Sequence, residues 1–261
     1  MKKYIVISVL PFVGLTNLCA AVYTWTGDAG DGLWGTSANW DLDNGYYPQS
    51  GSDTAVIGEN AGTIVWSAGQ NYFGATHEIT LEKNSEILCQ LGGGTGDLYF
   101  DILNLYGTFS AEGTNALGFQ RDFTVNFGNI TESSSGLLDF SGFTGLLWVN
   151  NHTVTVTANA SVKGSGEIEL VKLAGSLAGG AVTFGTEDIR VLDSNGNPLV
   201  LNTDASSTED LAMGEYALVS SAAGNGGVKI LYAAPVPEPS AFGMLAGLGA
   251  LALVASRRRR K

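Results

Sequence analysis

Basic residues are what the middle of this chain lacks. Only six of its 13 Lys and Arg fall between residues 22 and 234: Lys83, Arg121, Lys163, Lys172, Arg190 and Lys229. The same stretch holds all but one of the 25 acidic residues, so six bases face 24 acids and the net charge is −18. Such a surface repels anionic polymers, which excludes a nucleic-acid partner and disfavours a lyase acting on acidic polysaccharides. Charged residues are scarce altogether, at 15% against roughly a quarter in ordinary domains. With 36 glycines and six prolines, a helical bundle or coiled coil is excluded. Wholesale disorder is excluded as well, because 44% of the residues are hydrophobic.

Histidine and cysteine are rarer still, with two of each. Cys89 is alone between residues 22 and 234, so no disulfide framework forms within that stretch. Its place in the apolar run Ile87-Leu88-Cys89 predicts a buried thiol. His77 and His152 have no local second ligand, and no metal or cofactor is expected. His152 follows Asn150-Asn151 and reads as a turn residue. G-x-S-x-G, H-E-x-x-H, P-loop and paired C-x-x-C motifs are all missing. No catalytic residue is assigned, and the expectation is a protein that is not an enzyme.

What is present is most informative at the two ends. Lys2 and Lys3 precede an apolar run, Tyr4 to Leu18, and Cys19-Ala20-Ala21 supplies small residues before a cut between Ala21 and Val22. Residues 1–21 thus read as a secretory signal peptide, with signal peptidase as the partner. A short membrane anchor and a lipoprotein cut at Cys19 are the alternatives. Against the second, Leu18 stands where a small residue should precede a lipidated cysteine.

At the far end, Pro237-Glu238-Pro239 leads into Ala241 to Ala255, a run without charge, and then into Arg257, Arg258, Arg259, Arg260 and Lys261. As a helix the uncharged run spans about 22 Å, short of a hydrocarbon core of about 30 Å. Ser240, Ser256 and snorkelling arginines extend it. The basic cluster should stay cytoplasmic and leave the bulk of the chain outside. Gly243 and Gly247 form a GxxxG pair that either packs helices or reflects a Gly/Ala-rich segment.

These three parts, in this order, resemble the PEP-CTERM sorting signal. The resemblance covers residues 235–261 and implies export across the inner membrane of a Gram-negative bacterium. It implies a precursor anchored in the membrane by the C-terminal helix, with an exosortase as partner that removes the tail near the PEP motif. The mature form would then reside at the cell surface or outside the cell. The domain organisation expected is a signal peptide (1–21), an exported β-rich domain (22–234) and a sorting tail (235–261).

Short strand patterns bounded by glycine, asparagine and serine recur through that domain. Candidates are Thr54–Ile57, Thr63–Trp66, Glu78–Leu81, Ile87–Leu91, Leu98–Phe109 as two strands, and Asp122–Phe127. Gly136–Phe140, Leu146–Val149, Thr153–Thr157, Gly166–Lys172, Ala181–Phe184 and Ile189–Leu192 follow. Tyr216–Val219 and Val228–Tyr232 read as a closing hairpin. Ile102, Leu103, Leu105 and Tyr106 are apolar on both faces, which predicts an enclosed strand. The fold class expected is all-β. An irregular parallel β-helix, a β-solenoid of unequal coils, is one architecture and a β-sandwich is the other. One hydrophobic helix is added at the C-terminus.

The start of the domain carries a second resemblance. Tyr23-Thr24-Trp25-Thr26-Gly27, Gly32-Leu33-Trp34, Ala38-Asn39-Trp40, Pro48 and Gly51 to Ile57 are similar to the opening motif of autotransporter-associated β-repeat proteins. Those are secreted and coiled, so the likeness implies a coiled β-rich passenger.

Four groups of residues compete for a functional role. Glu167 and Glu169 share one strand face, as acid–base carboxylates of a carbohydrate-active enzyme would, and as two solvated glutamates would. Asp97 and Asp101 pose the same alternative. Asp28, Asp31, Asp41 and Asp43 crowd a glycine-rich stretch, but Ser52 stands where a calcium loop needs glutamate. Trp25, Trp34 and Trp40 would make either a sugar-stacking platform or a plug at the open end of the core. The function expected is that of a non-enzymatic surface or extracellular-matrix protein, structural or adhesive. An extracellular polysaccharide is a further partner under that expectation. A carbohydrate-active enzyme or a carbohydrate-binding module on a β-helix is the alternative.

Overall fold

In most strands of the domain, buried residues alternate with half-exposed ones. That period of two is the mark of a sheet with one face on a core and one toward water. The computed structural model describes residues 20–42, 44–67, 76–91, 96–132, 136–148, 152, 154–173, 184–219 and 227–236. The described chain opens with β1 (Val22–Thr24), β2 (Asp53–Ile57) and β3 (Gly62–Ser67). One coil then comprises β4 (Thr76–Leu81), β5 (Ser85–Leu91) and β6 (Gly96–Leu98). The next comprises β7 (Ile102–Leu105), β8 (Thr108–Gly113) and β9 (Ala116–Phe119), followed by β10 (Phe123–Thr131), β11 (Leu137–Phe140) and β12 (Leu146–Trp148). After β13 (Val154–Val162), β14 (Gly164–Leu173) and β15 (Phe184–Asp193), the chain finishes with β16 (Val200–Leu201), β17 (Glu215–Val219) and β18 (Val228–Ala234).

Strands in equivalent positions of successive coils lie side by side. A seven-stranded sheet runs β1-β2-β4-β7-β10-β13-β15, and a three-stranded sheet runs β12-β9-β6. An eight-stranded sheet runs β16-β17-β18-β14-β11-β8-β5-β3. Pairing is parallel from coil to coil in all three. This is the connectivity of a solenoid; a sandwich would pair its strands antiparallel. Strand partners in neighbouring coils are unequally spaced in sequence, from 21 positions for Gly96 and Leu117 to 33 for Leu138 and Val171. The unequal step is why no strict repeat shows in the sequence.

The inward faces fill a continuous core. Phe109, Phe119, Phe127, Phe140 and Phe143 are fully buried. Phe100 meets Phe123 edge-on at 4.8 Å, and Phe109 meets Phe140 at 6.4 Å, so aromatic contacts pass from one coil to the next. Corners are tight. A Cβ on Gly136 would lie 2.0 Å from the Leu105 carbonyl oxygen, and one on Gly145 would lie 1.6 Å from that of Asn115. Only glycine lets the backbones come this close.

The enclosed strand expected over Ile102–Tyr106 is not enclosed. Leu103 and Leu105 are buried, but Ile102 and Asn104 are half-exposed. β7 lies between β4 and β10 within one sheet, and its outer face looks away from the core. The expected closing hairpin is present: β17 pairs antiparallel with β18, and β18 pairs antiparallel with β14.

Candidate functional site: capped ends, paired faces and a sorting tail

A stack of coils has two ends where core and sheet edge are open, and both must be covered. At the first end, Gly32 to Trp34 run beside β3. Trp34 N–H donates to the Val65 carbonyl at 3.0 Å, and Val65 N–H donates to that of Gly32 at 2.8 Å. Trp34 is fully buried and Trp40 is 4% exposed. Trp40 is the hub, with Trp34 4.8 Å away at 75° and Trp25 5.1 Å away at 86°. Its indole N–H donates to the Trp34 carbonyl at 2.9 Å. A sugar-stacking platform needs exposed, coplanar rings. These rings are steeply inclined to one another and two of the three are buried, so they form the plug.

The aspartates of the same segment serve its turns. Asp31 accepts from Leu33 N–H at 2.9 Å, Thr36 Oγ1 at 2.7 Å and Asn39 Nδ2 at 2.6 Å. These donors, led by the Leu33 amide, hold its carboxyl below the ordinary aspartate value. Asp41 accepts from Thr24 N–H at 2.8 Å. Asp43 lies outside the described residues.

The carboxylates on the coil faces are engaged in the same way. Glu167 Oε2 lies 2.9 Å from Lys229 Nζ, while Glu169 Oε2 lies 3.4 Å from Lys172 Nζ. The two members of the expected pair thus have different basic partners. Asp97 accepts from Gln120 Nε2 at 2.8 Å. Asp101 bridges His77 Nδ1, at 2.8 Å, and the Arg121 guanidinium, at 3.2 Å. His152 Nδ1 lies 3.5 Å from Asp122. Among the described residues no three His, Cys, Asp or Glu side chains gather as metal ligands would. Cys89 is buried as expected, and burial pushes its thiol well up.

Rows of side chains running across the coils went unrecognised in the sequence. On the outer face of the seven-stranded sheet, Asn104 Nδ2 donates to Glu78 Oε1 at 2.6 Å. Asn126 Nδ2 donates to Asn104 Oδ1 at 3.3 Å, and Thr157 Oγ1 to Asn126 Oδ1 at 3.2 Å. On the eight-stranded sheet, Glu86 accepts from Thr63 on one neighbouring strand and Ser110 on the other, at 3.0 and 2.6 Å. Gln90 donates to Glu112 at 2.6 Å. The signal was a polar residue at the matching outward position of successive strands, Thr80, Asn104, Asn126 and Thr157, and unequal coils hid it.

The remaining expectations fall elsewhere. Among the described residues no helix is long and apolar enough to cross a membrane. The helix expected over Ala241–Ala255 lies outside them, as do Pro237, Glu238 and Pro239 and the basic cluster from Arg257 to Lys261. Of the expected signal-peptide cut, Ala21 and Val22 are described, with β1 beginning at Val22, and the leader through Cys19 is not.

No curated protein and no solved structure shows significant similarity to the chain. Residues 235–260 match the PEP-CTERM protein-sorting motif. β18 ends at Ala234, so the match begins at the residue after the last strand. The chain therefore carries an exosortase sorting signal, and it is an exported protein processed at the membrane of a Gram-negative bacterium.

Proposed function

We propose that the mature protein is a non-enzymatic structural or adhesive component of the cell surface or extracellular matrix. The observation that carries this reading is the engagement of its outward carboxylates. They bond to amides, hydroxyls and bases on adjacent coils, as Glu78, Glu86, Glu112 and Glu167 do. Acid–base catalysis needs carboxylates converging on one substrate with separated proton affinities. Here they brace the wall of the stack, whose two ends are capped. A rigid, acidic rod of this kind presents faces; it does not turn over substrate.

The test is deletion of the gene in its own host, with complementation by the intact chain and by a chain lacking 235–261. Loss of matrix cohesion or surface attachment, restored only by the intact chain, is the expected outcome. Unchanged cohesion, or release of sugar from any glycan incubated with the purified protein, would overturn the proposal. Mass spectrometry of protein from surface and medium adds a direct check on processing: Val22 is the expected first residue, and the arginine cluster is expected to be gone.

A further inference from the structure

Between β16 and β17 the chain leaves the coil and folds over the outer face of the β17–β18–β14 sheet. Ala205, Ala217 and Leu231 form a second small core there, with Leu211 and Val219 packed against it. The loop is held firmly. Asp210 Oδ2 accepts the N–H of Ser206 at 3.0 Å and of Ser207 at 2.9 Å, and their hydroxyls at 3.1 and 3.0 Å. Asn202 Oδ1 accepts the N–H of Asp204 and Ala205, and its amide donates to Glu215 at 2.9 Å. Such a wall is set before any ligand arrives, so binding does not have to order it.

Beside this wall lies an open groove of about 320 Å³. Residues 206–209 form one side, the Glu167–Lys229 ion pair forms the other, and Val219 and Leu231 contribute an apolar floor. The volume is at the small end of ligand sites, which run from roughly 300 Å³ upward. Lys229 is 14% exposed and Glu167 is 60% exposed, so the carboxylate stands at the mouth while the ammonium sits deeper. Glu209 contributes a second carboxylate.

We infer that this groove binds a short stretch of a neutral polysaccharide, through Glu167, Glu209 and Lys229 above the Val219–Leu231 floor. The inference rests on the matrix function proposed above and names its partner class. Sugar hydroxyls donate to the two carboxylates, and hydrogen bonds to charged groups are the stronger kind. The ammonium donates to ring or hydroxyl oxygens, and the C–H face of a ring covers the apolar floor. An anionic glycan is rejected, because two carboxylates outnumber one ammonium here and the whole domain carries an acidic excess.

The exported protein, recovered from its host, is to be applied to an array of neutral and uronate-bearing oligosaccharides, with calorimetry on whatever it retains. Retention of neutral saccharides alone is expected. The double variant Glu167→Gln with Glu209→Gln should weaken that binding about tenfold or more, the scale of a lost charged hydrogen bond. Glu112→Gln, in β8 of the same sheet and away from the groove, should leave binding unchanged, and matching melting curves show that all three proteins are folded. Failure to retain any neutral saccharide, preference for uronates, or equal binding by the double variant overturns the inference. If deletion of the gene weakens the matrix but the double variant restores it fully, only the groove is refuted. If deletion has no effect, the matrix function falls first.

Discussion

The two ends of the coil stack meet the same problem with different materials. At the N-terminal end, little regular structure covers the core: one three-residue strand, a single 3-10 turn at Ser37–Asn39, and large aromatic side chains. At the C-terminal end the chain reverses, and β17 and β18 continue the sheet antiparallel. The first cap rests on a few side chains that bury a great deal of surface each. The second spreads its stability over many backbone hydrogen bonds and a small satellite core. A cap of the first kind fails at single residues, whereas a cap of the second kind yields in small steps.

The largest effect is expected from Trp34→Ala. Trp34 is fully buried, packs edge-on against Trp40, and sits where its backbone closes the edge of β3. Truncating a buried tryptophan costs about 3–5 kcal/mol. Denaturant unfolding should show that loss as a lower midpoint. An effect under about 1 kcal/mol would mean the plug is dispensable. Next comes a break placed away from both ends. Gly136→Ala drives a methyl group into the Leu105 carbonyl, 2.0 Å from the ideal Cβ position. Overpacking of this kind costs about 1–3 kcal/mol. It separates the strength of the caps from that of the stack between them. At the C-terminal end, Tyr216→Phe removes the hydroxyl that donates to the Ile189 carbonyl at 3.2 Å. About 1 kcal/mol is the expected loss, well below that of Trp34→Ala.

Acid should separate the ends without any mutation. Four carboxyls of the C-terminal cap are held low. Amides and side chains of Asn197 and Asn195 do this for Asp193, and those of Ser206 and Ser207 for Asp210. Glu209 is held low by its own backbone amide and the Ser207 hydroxyl, and Glu215 by Asn202 and the Ala212 amide. In the N-terminal cap Asp31 shares the property. A carboxyl whose affinity for protons is lowered by folding adds stability above its unfolded range and loses it as pH falls through its folded value. Below the ordinary values of 3.8 for aspartate and 4.5 for glutamate, the C-terminal cap should open first. Hydrogen exchange on peptides spanning 193–215 and 23–41, compared at neutral pH and near pH 3, reads this directly. Faster acid opening of 23–41 would reverse the assignment.

These differences between the ends were unequally legible in the sequence. Clean alternation, as in Phe123-Thr124-Val125-Asn126-Phe127, marked β10 and its inward face directly. The hairpin of β17 and β18 showed as two apolar runs with glycines between them. β1, β9 and β16 were missed, being strands of two to four residues with too few positions to show a period. Leu98–Phe109 read as two strands, and it holds the end of β6, all of β7 and the start of β8. The corners that divide it are three residues (99–101) and two residues (106–107) of a tight coil, with no turn motif. The tryptophans were visible as a group, but whether they face inward depends on Gly32–Trp34 lying along β3, a contact 32 residues apart that no local pattern encodes. The partner of Glu167 was invisible for the same reason: Lys229 reaches it only because β18 folds back onto β14.

The subtlest way to sharpen the comparison uses Cys89 as a built-in reporter. It lies in β5, whose neighbour β3 forms the sheet edge that Gly32–Trp34 close, and it pairs in register with Trp66. It is fully buried and its thiol is held in the neutral form by desolvation. A thiol reagent should therefore react only through opening of the coil next to it, and not with the native stack. If stability at the N-terminal end resides in the plug, Trp34→Ala opens that coil more often and speeds labelling of Cys89 under native conditions. Tyr216→Phe, at the opposite end, should change the labelling rate little, because the coils between the two ends open independently of the last one. Equal acceleration by both substitutions would show instead that the stack opens as one unit, in which case the contrast between its ends concerns packing and not the order in which they yield.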